Sequence, residues 1–560
     1  MRKVPVLIVG GGPVGLALAA ELGWRGARCE LIEQGDGVIT TPKMNEVNVR
    51  TMEFCRRWGI ADQVLHCPFP DDYPFDVVFV TSLGGYELGR MRRPSRAKQT
   101  PECYSPMRLQ ACSQLWFDPI LRSFAQSMPT VALRYRTRLE GLRDTGRGVV
   151  ADLTDLETGA RERVMADYLV GCDGAGSAVR TALGIGLEGQ GVLSHPLHVF
   201  FRAPDLLQRC GKEPGTFFLA IDRGGLWANI RIIDPANALW RLMVLDSGAE
   251  QTPETVDCAA LVRRAVGRDI DFEVLDLSIW TRRSLVAESY GKGRVFLAGD
   301  AAHQLSPTGA LGMNTGIGDA VDLGWKLAAV LQGWGGPQLL ASYEAERRPI
   351  GLRNVGATAE FYLAHENFDE GLGAIDEDSA TGRELRERLG SLLERGIGRM
   401  FRTIGLQIGY RYDNSPIIVP DGTLGPPDDP EVYVASAHPG SRAPHAVLSD
   451  GRSTLDLFGR AFTLLQFGND AADVATIRTA AAEHGVPLNT VALHEPNAAA
   501  LFESRLVLVR PDGHVAWRGD ALTMDPGVLM DRVRGAAAEH PDMGFFSARG
   551  FDRAALAPTI

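Results

Sequence analysis

Three glycines near the start of the chain carry its first recognisable chemistry. Gly10, Gly12 and Gly15 follow the apolar run VPVLIV in the order G-x-G-x-x-G. The first permits a tight turn, the second lets backbone approach a pyrophosphate, and the third lets helix pack on strand. Pro13 and Val14 lie inside the motif, where a helix to about Leu22 begins and directs its unpaired N–H groups at the phosphate. A second strand, ARCELIE, ends at Glu33, beside Gln34, where an acidic side chain can bond a ribose hydroxyl. The same stretch could be read as a cleavable export signal, with a basic start, an apolar run and LALAA. Such a signal needs neither the glycine spacing nor the acidic strand end, so the nucleotide reading is preferred.

Two further stretches narrow the kind of nucleotide. YLVGCDGAGSAVRTALGI runs from a buried strand into Asp173, then Ser177 and Arg180. GRVFLAGDAAHQLSPTGALGMNTGIGDAVDLGWKL ends a strand at Gly299-Asp300, passes Pro307, and starts a helix near Gly312, Met313 and Asn314. An aspartate at a strand's carboxyl end can accept bonds from a polyol chain crossing the sheet edge. A helix N terminus above the loop would stabilise negative charge on the N1–C2=O edge of a reduced isoalloxazine.

The elements that must hold these residues are those of a large soluble α/β protein. The 560 residues predict two to four domains. A net charge of -11 and a pI of about 5.6 argue against a phosphate-coating nucleic-acid binder. No apolar run approaches the roughly 20 residues that cross a bilayer. Eight scattered cysteines form no C-x-x-C pair, which predicts reduced, mostly buried thiols in a cytoplasmic protein, no metal site and no dithiol motif. Cys172 is the expected core member among them, and His303 in GDAAH is expected to pack rather than to act as a base.

A Rossmann-like β-α-β unit is expected first. Longer strands follow between about 185 and 290 (PLHVFFRA, GTFFLAI, LWANIRII, LWRLMVL), as in an antiparallel sheet. A small α/β unit with a hairpin around Pro511-Asp512-Gly513 closes the chain.

The set GGGPVG, CDGAGSAVR and GDAAHQLSPTGALGMNTGIGDAVDLGWKL resembles the single-component FAD-dependent aromatic hydroxylases, of the para-hydroxybenzoate and phenol hydroxylase type. The resemblance implies a discontinuous FAD-binding domain (1–74, 106–184, 288–360) interleaved with a substrate-binding β-sheet domain (75–105, 185–287). A helical segment (361–410), a linker (411–446), a thioredoxin-like domain without redox cysteines (447–546) and a tail (547–560) would follow. That last domain is expected to bear on oligomerisation or solubility more than on the flavin, and a homodimer is implied.

Carried over residue by residue, the resemblance assigns Gly10, Gly12, Gly15 and Glu33 to the ADP half of FAD. Arg50 in PKMNEVNVRTME and Gln114 in SQLWFDPIL match cofactor-contacting positions, and Lys43 stands where the pattern has an arginine. Asp300, after Gly299, would hold the ribityl chain, with Gly312, Met313 and Asn314 facing the ring. Asp173, Arg180 and Arg283 are assigned to the passing nicotinamide cofactor, NADH or NADPH. Pro307 offers its carbonyl to a substrate hydroxyl. Asn45 occupies the position where phenol hydroxylases carry an acid, and an amide can orient a hydroxyl without taking its proton.

Period-two alternation places Phe218 on one strand, and Trp227 and Asn229 on the next, as candidate substrate contacts. The implied activity is NAD(P)H-dependent monooxygenation of a small phenolic or electron-rich aromatic through a flavin C4a-hydroperoxide, with O₂ as co-substrate. The alternative is the same scaffold hydroxylating a polycyclic polyketide or antibiotic, or inserting oxygen into it in a Baeyer–Villiger reaction. Nucleic-acid and membrane partners are not expected.

Overall fold

In this computed structural model, residues 1–100, 102–248, 251–364, 371–468 and 471–537 are described. The expected tail, the end of the C-terminal unit and part of the helical segment lie outside them.

The first sheet has eight strands, and its centre explains the site. Val6–Val9, fully or almost fully buried, belong to the strand Arg2–Val9, which pairs in parallel with both Cys29–Ile32 and Arg161–Gly171. Arg161–Gly171 pairs in parallel with Val295–Leu297, and Val131–Arg134 lies beyond Cys29–Ile32. Such strands, covered on both faces, are apolar throughout rather than alternating. Their register puts Ile32, Val9, Gly171 and Leu297 in one row. The loops that follow these four residues therefore leave the sheet side by side.

Helix α1 (Pro13–Trp24) starts with proline at its first turn, where a missing N–H costs nothing. Helix α2 (Val49–Trp58) is capped by Asn48, whose side chain accepts from Thr51 N at 2.9 Å. Helix α3 (Gln114–Gln126) starts after Ser113. Helix α4 (Gly312–Leu331) is buried along almost its whole length, and α5 (Ser342–Leu363) packs against it. The N termini of α1 and α4 meet at Val14: a Cβ on Gly316 would lie 2.6 Å from the Val14 side chain and 2.9 Å from Gly299 Cα.

The second sheet has seven strands, in the order Glu273–Ile279, Leu197–Arg202, Leu239–Val244, Gly225–Asp234, Phe217–Asp222, Val77–Val80, Glu87–Met91. It is antiparallel except where Phe217–Asp222 runs parallel to Val77–Val80. One face carries Val78, Phe218, Ala220, Ile230 and Leu242 into the main core, with helix Cys258–Val266. The other carries Val77, Phe79, Phe217 and Leu219 toward a separate core. The C-terminal unit is a four-stranded sheet, Leu488–Leu493, Phe462–Phe467, Leu506–Val509, Val515–Gly519, with helices Ala471–Glu483 and Pro526–Val533. None of the eight cysteines lies in it.

Two motif glycines are fixed by space, and the first by conformation as well. Gly10 has φ +110°, and a Cβ there would sit 2.4 Å from Cys172 O; at Gly15 it would sit 2.0 Å from Gly10 O. No rotamer change relieves a clash with backbone. Gly15→Ala should destabilise the apoprotein by about 3 kcal/mol or more, read as the urea midpoint in the absence of cofactor. An unchanged midpoint would show that this junction is not closed as described.

Candidate FAD and substrate site

The row of strand ends gathers the dispersed motifs. Gly10 follows Val9, Glu33 follows Ile32, Asp173 lies two residues past Gly171, and Gly299-Asp300 follow Leu297 by way of Ala298. Ligands in open α/β sheets bind at such carboxyl edges. Glu33 receives Gly11 N and Gly35 N, both at 2.7 Å, so its carboxylate also ties the glycine turn to the second strand. Gln34 is exposed beside it. A Cβ built on Gly12 meets no protein atom within 4 Å. That open space, at the N terminus of α1, suits close approach of a diphosphate.

Asp173 Oδ1 accepts from Ser177 Oγ at 2.5 Å and its Oδ2 from Val179 N at 3.1 Å, capping helix Ala178–Leu183. Arg180, assigned to the nicotinamide cofactor, also has a structural role. Its guanidinium is buried and donates to the carbonyls of Ala301 and Ala175, both at 3.0 Å, stitching the Asp173 loop to the Asp300 loop. Arg283 is half-buried within electrostatic reach of it.

Gln114 is held at both ends of its amide. Oε1 accepts from Lys43 N at 2.9 Å, and Nε2 donates to Asp118 at 3.0 Å. The Lys43 side chain is exposed, and its charge reaches Asp300 and His198. At the start of α4 the first intrahelical bond runs from Thr315 N to Leu311 O. The N–H groups of Gly312, Met313 and Asn314 therefore have no partner within the helix. The Asn314 side chain does not face a ring. Its Oδ1 accepts from Asn48 N and Thr51 Oγ1, and its Nδ2 donates to the carbonyls of Glu46 and Ala310. It locks the Glu46–Thr51 segment onto α4.

Arg50 also differs from expectation. It is buried and donates to Glu53 at 2.9 Å and to the carbonyl of Asp512 at 2.9 Å, so it joins α2 to the C-terminal unit. The sequence offered no sign of this, because its partner stands 462 positions away.

Between the second sheet, the loop 307–310 and the segment 400–403 lies a cleft of about 410 Å³, lined by Glu46, Arg93, Phe217, Arg231, Pro307 and Phe401 among others. Pro307 lines this cleft, and its carbonyl accepts from Ala310 N at 3.1 Å. Phe218 and Trp227 are not part of the cleft. Phe218 is fully buried on the opposite face of its strand. Trp227 is the extra residue of a β-bulge between the Ala220–Ala228 and Ile221–Leu226 pairs, and it stacks under Arg264 at 3.8 Å. The cleft residues that sequence reasoning missed include Glu46, Arg93, Phe217 and Phe401. Phe217 pairs with Arg231, and Arg231 with Arg241, while Asn229 lies in the next row on the same face.

Electrostatics sets this cleft apart. Arg231 donates to Glu46 at 2.7 Å. Burial pushes the Glu46 carboxyl up, but the Arg231 and Arg93 charges outweigh it and hold the group below its ordinary range. Arg241 is pulled down to about 9 by burial and by Arg231. Burial and the charges of Arg241, Arg282 and Lys43 keep His198 neutral. The buried atoms Asn45 Oδ1, His198 Nε2, Asn229 Oδ1, Trp280 Nε1 and Gln304 Oε1 have no hydrogen-bond partner in the protein. Buried polar atoms are ordinarily paired, so these five are open to a bound group or a water.

Residues 3–358 match the family model described as FAD binding domain, and residues 436–537 match that of the aromatic-ring hydroxylase C-terminal domain. The chain belongs to the FAD-dependent aromatic-ring hydroxylases. It is 36% identical to the FAD-dependent monooxygenase apdD of Emericella nidulans, over 92% of this chain and 88% of that protein. It is 32% identical to a 4-methyl-5-nitrocatechol 5-monooxygenase of a Burkholderia species, over 95% of this chain and 97% of that one. Among solved structures, chromopyrrolic acid-soaked RebC with bound 7-carboxy-K252c superposes with a TM-score of 0.89 at 42% identity, covering 96% of this chain and all of that one. This member of the family is thus an FAD-dependent monooxygenase. The open space at Gly12, the Glu33 carboxylate and the unpartnered N–H groups of α4 fit that cofactor. No helix among the described residues is long and apolar enough to cross a membrane.

Two measurements check the site. Gly12→Ala should leave apoprotein stability within about 0.5 kcal/mol of wild type while raising the Kd for FAD at least about 10-fold, the equivalent of 1.4 kcal/mol. Equal FAD affinity would remove the diphosphate from this turn. Asp118, next to Gln114, is pushed up to about 7 by burial. The native state then keeps a proton that the unfolded chain has already released, so this group costs stability as pH rises from about 4 to 7. Asp118→Asn should therefore raise the urea midpoint more at pH 8 than at pH 5, by on the order of 1–4 kcal/mol. A difference that does not depend on pH would contradict the shift.

Proposed function

We propose that this protein is an NAD(P)H-dependent FAD monooxygenase that hydroxylates an aromatic substrate bearing both a ring hydroxyl and an anionic group. The observation that carries the reading is the cleft's charge. Arg93, Arg231 and Arg241 are grouped about Glu46, with Asp76 acting on Arg93 alone, so three guanidinium groups outnumber the carboxylates that reach them. Taking unpaired guanidinium groups out of water is costly unless an anion joins them. A structurally similar protein was soaked with an acid and holds a carboxy compound, which agrees with this charge.

Bound FAD supplies the two-electron chemistry that takes reducing equivalents from the nicotinamide and activates O₂. The protein's own residues do the rest. Arg231 and Arg93 hold the substrate's anion, and Phe217 and Phe401 cover its ring. Asn45 and the Pro307 carbonyl orient a ring hydroxyl, while the positive field of the arginines favours its ionised, more nucleophilic form. Glu46, kept charged by its arginine neighbours, is a poor proton acceptor and serves to fix Arg231. The sheet on one side, and the loop 307–310 with the segment 400–403 on the other, exclude water from the reacting atoms. Turnover in the cytoplasm by a homodimer belongs to the same proposal.

The second reading, a polycyclic polyketide or antibiotic substrate, shares this chemistry and differs only in ring count. The test is a panel of one-ring and multi-ring phenols, each as a free acid and as its methyl ester, scored by NAD(P)H oxidation and product mass. Acids should be turned over with a KM about 10–100-fold below their esters, the range a charge-assisted hydrogen bond supplies. Arg231→Gln should raise KM for the acids alone. Equal KM values for acids and esters in both proteins would end the anion proposal.

A further inference from the structure

The C-terminal unit packs on the rest of the chain through Phe462 against Trp325 and Trp334, and through the turn of one hairpin that supplies the buried charges of the contact. In this turn, Arg510 to His514, Pro511 and Asp512 occupy the corner and Gly513 takes φ +87°. Arg510, fully buried, donates to Glu346 on α5 at 2.6 and 2.9 Å and to Asp322 on α4 at 3.0 Å. The Pro511 carbonyl accepts from Arg25 and Arg57, and the Asp512 carbonyl from Arg50. His514 stacks against Tyr412 with ring centroids 4.4 Å apart. Lys326 completes the cluster, donating to Asp322 at 2.7 Å and Glu346 at 2.6 Å.

Besides Asp512 in its own turn, Arg510 holds Glu346 and Asp322, and each of these lies near a residue that reaches the cofactor loop. Arg347, next to Glu346, donates to Asp319 at 2.8 Å and to the Thr315 carbonyl at 3.0 Å. Asp319, one helical turn from Asp322, accepts from Gly299 N at 3.1 Å and shares a 2.6 Å bond with His303 Nε2. Gly299 is the residue before Asp300. A chain of buried charges thus runs from the hairpin through α5 and α4 to the backbone of the loop that carries Asp300. Every side chain in it is at most 2% exposed.

We propose that the C-terminal unit serves as an internal clamp on the FAD site: the Arg510 turn fixes α4 against α5, and Asp319 thereby holds the Gly299–Asp300 loop in the geometry that binds cofactor. Arg510 and Asp319 are positioning residues in this scheme, since neither touches the cleft. The reading replaces the expectation that the unit bears mainly on oligomerisation. It rests on cofactor binding and on no assumption about substrate. Spatial continuity alone does not demonstrate coupling, so the test must measure the far end while changing the near one.

Full-length Arg510→Met and Arg510→Lys proteins are compared with wild type and with Arg478→Ala, which changes an exposed side chain on the outer helix of the same unit. Two quantities are read on the apoprotein: the Kd for added FAD, from quenching of flavin fluorescence, and amide exchange of the 297–304 segment by mass spectrometry. Arg510→Met should raise the Kd at least 10-fold and speed exchange in 297–304. The strands Phe462–Phe467 and Leu506–Val509 should stay protected. Arg510→Lys should fall between, and Arg478→Ala should match wild type. A folded Arg510→Met protein with wild-type FAD affinity and unchanged exchange in 297–304 overturns the proposal. If Arg510→Met does not fold, the same two readings on Arg510→Lys decide it, and wild-type values there overturn it equally.

Discussion

One constraint organises this molecule: four parallel strands end in register. Ile32, Val9, Gly171 and Leu297 share a row, so the segments after them are neighbours although they lie more than 260 positions apart along the chain. Everything assigned to the cofactor depends on that row. It brings the glycine turn beside Glu33 and sets the Asp173 and Asp300 loops next to each other. It also lets Arg180 bridge the last two through backbone carbonyls. The row persists because the strands are buried on both faces and cannot slip without exposing apolar side chains.

The second sheet solves a different problem. Its strands present one face to the main core and the other to a second core, except where Phe217 and Arg231 line the cleft. Alternation supplies the two faces, and the cleft-facing one concentrates charge that would be unfavourable in an ordinary interior. Glu46 offsets part of it from outside the sheet, reaching Arg231 from a two-residue strand next to Asn45. The packing around this face thereby creates a cleft in which buried positive charge gathers about Glu46.

Much of the cofactor half was legible because its signals are local. Glycine spacing, strand-to-helix junctions and an acid at a strand end each follow from a few consecutive residues. The substrate half was less legible. Counting by twos from Asn229 puts Trp227 on the same face, but a bulge at that position moves it to the other one. Phe218 failed for a related reason, since periodicity identifies residues that share a face without saying which face meets the cleft. Arg50 and Arg510 were opaque, because their partners come from a unit hundreds of residues distant.

By itself, the sequence determined that a dinucleotide turn opens the chain, that two more cofactor segments follow, and that the cysteines hold no paired redox motif. These are properties of short stretches, governed by backbone conformation and spacing. Only the tertiary structure decided which arginines face the cleft, which ones bind the domains together, and how the last hairpin reaches the loop of Asp300. A charged side chain buried on folding is stable only beside its counter-charge, and that pairing exists only once distant segments have packed.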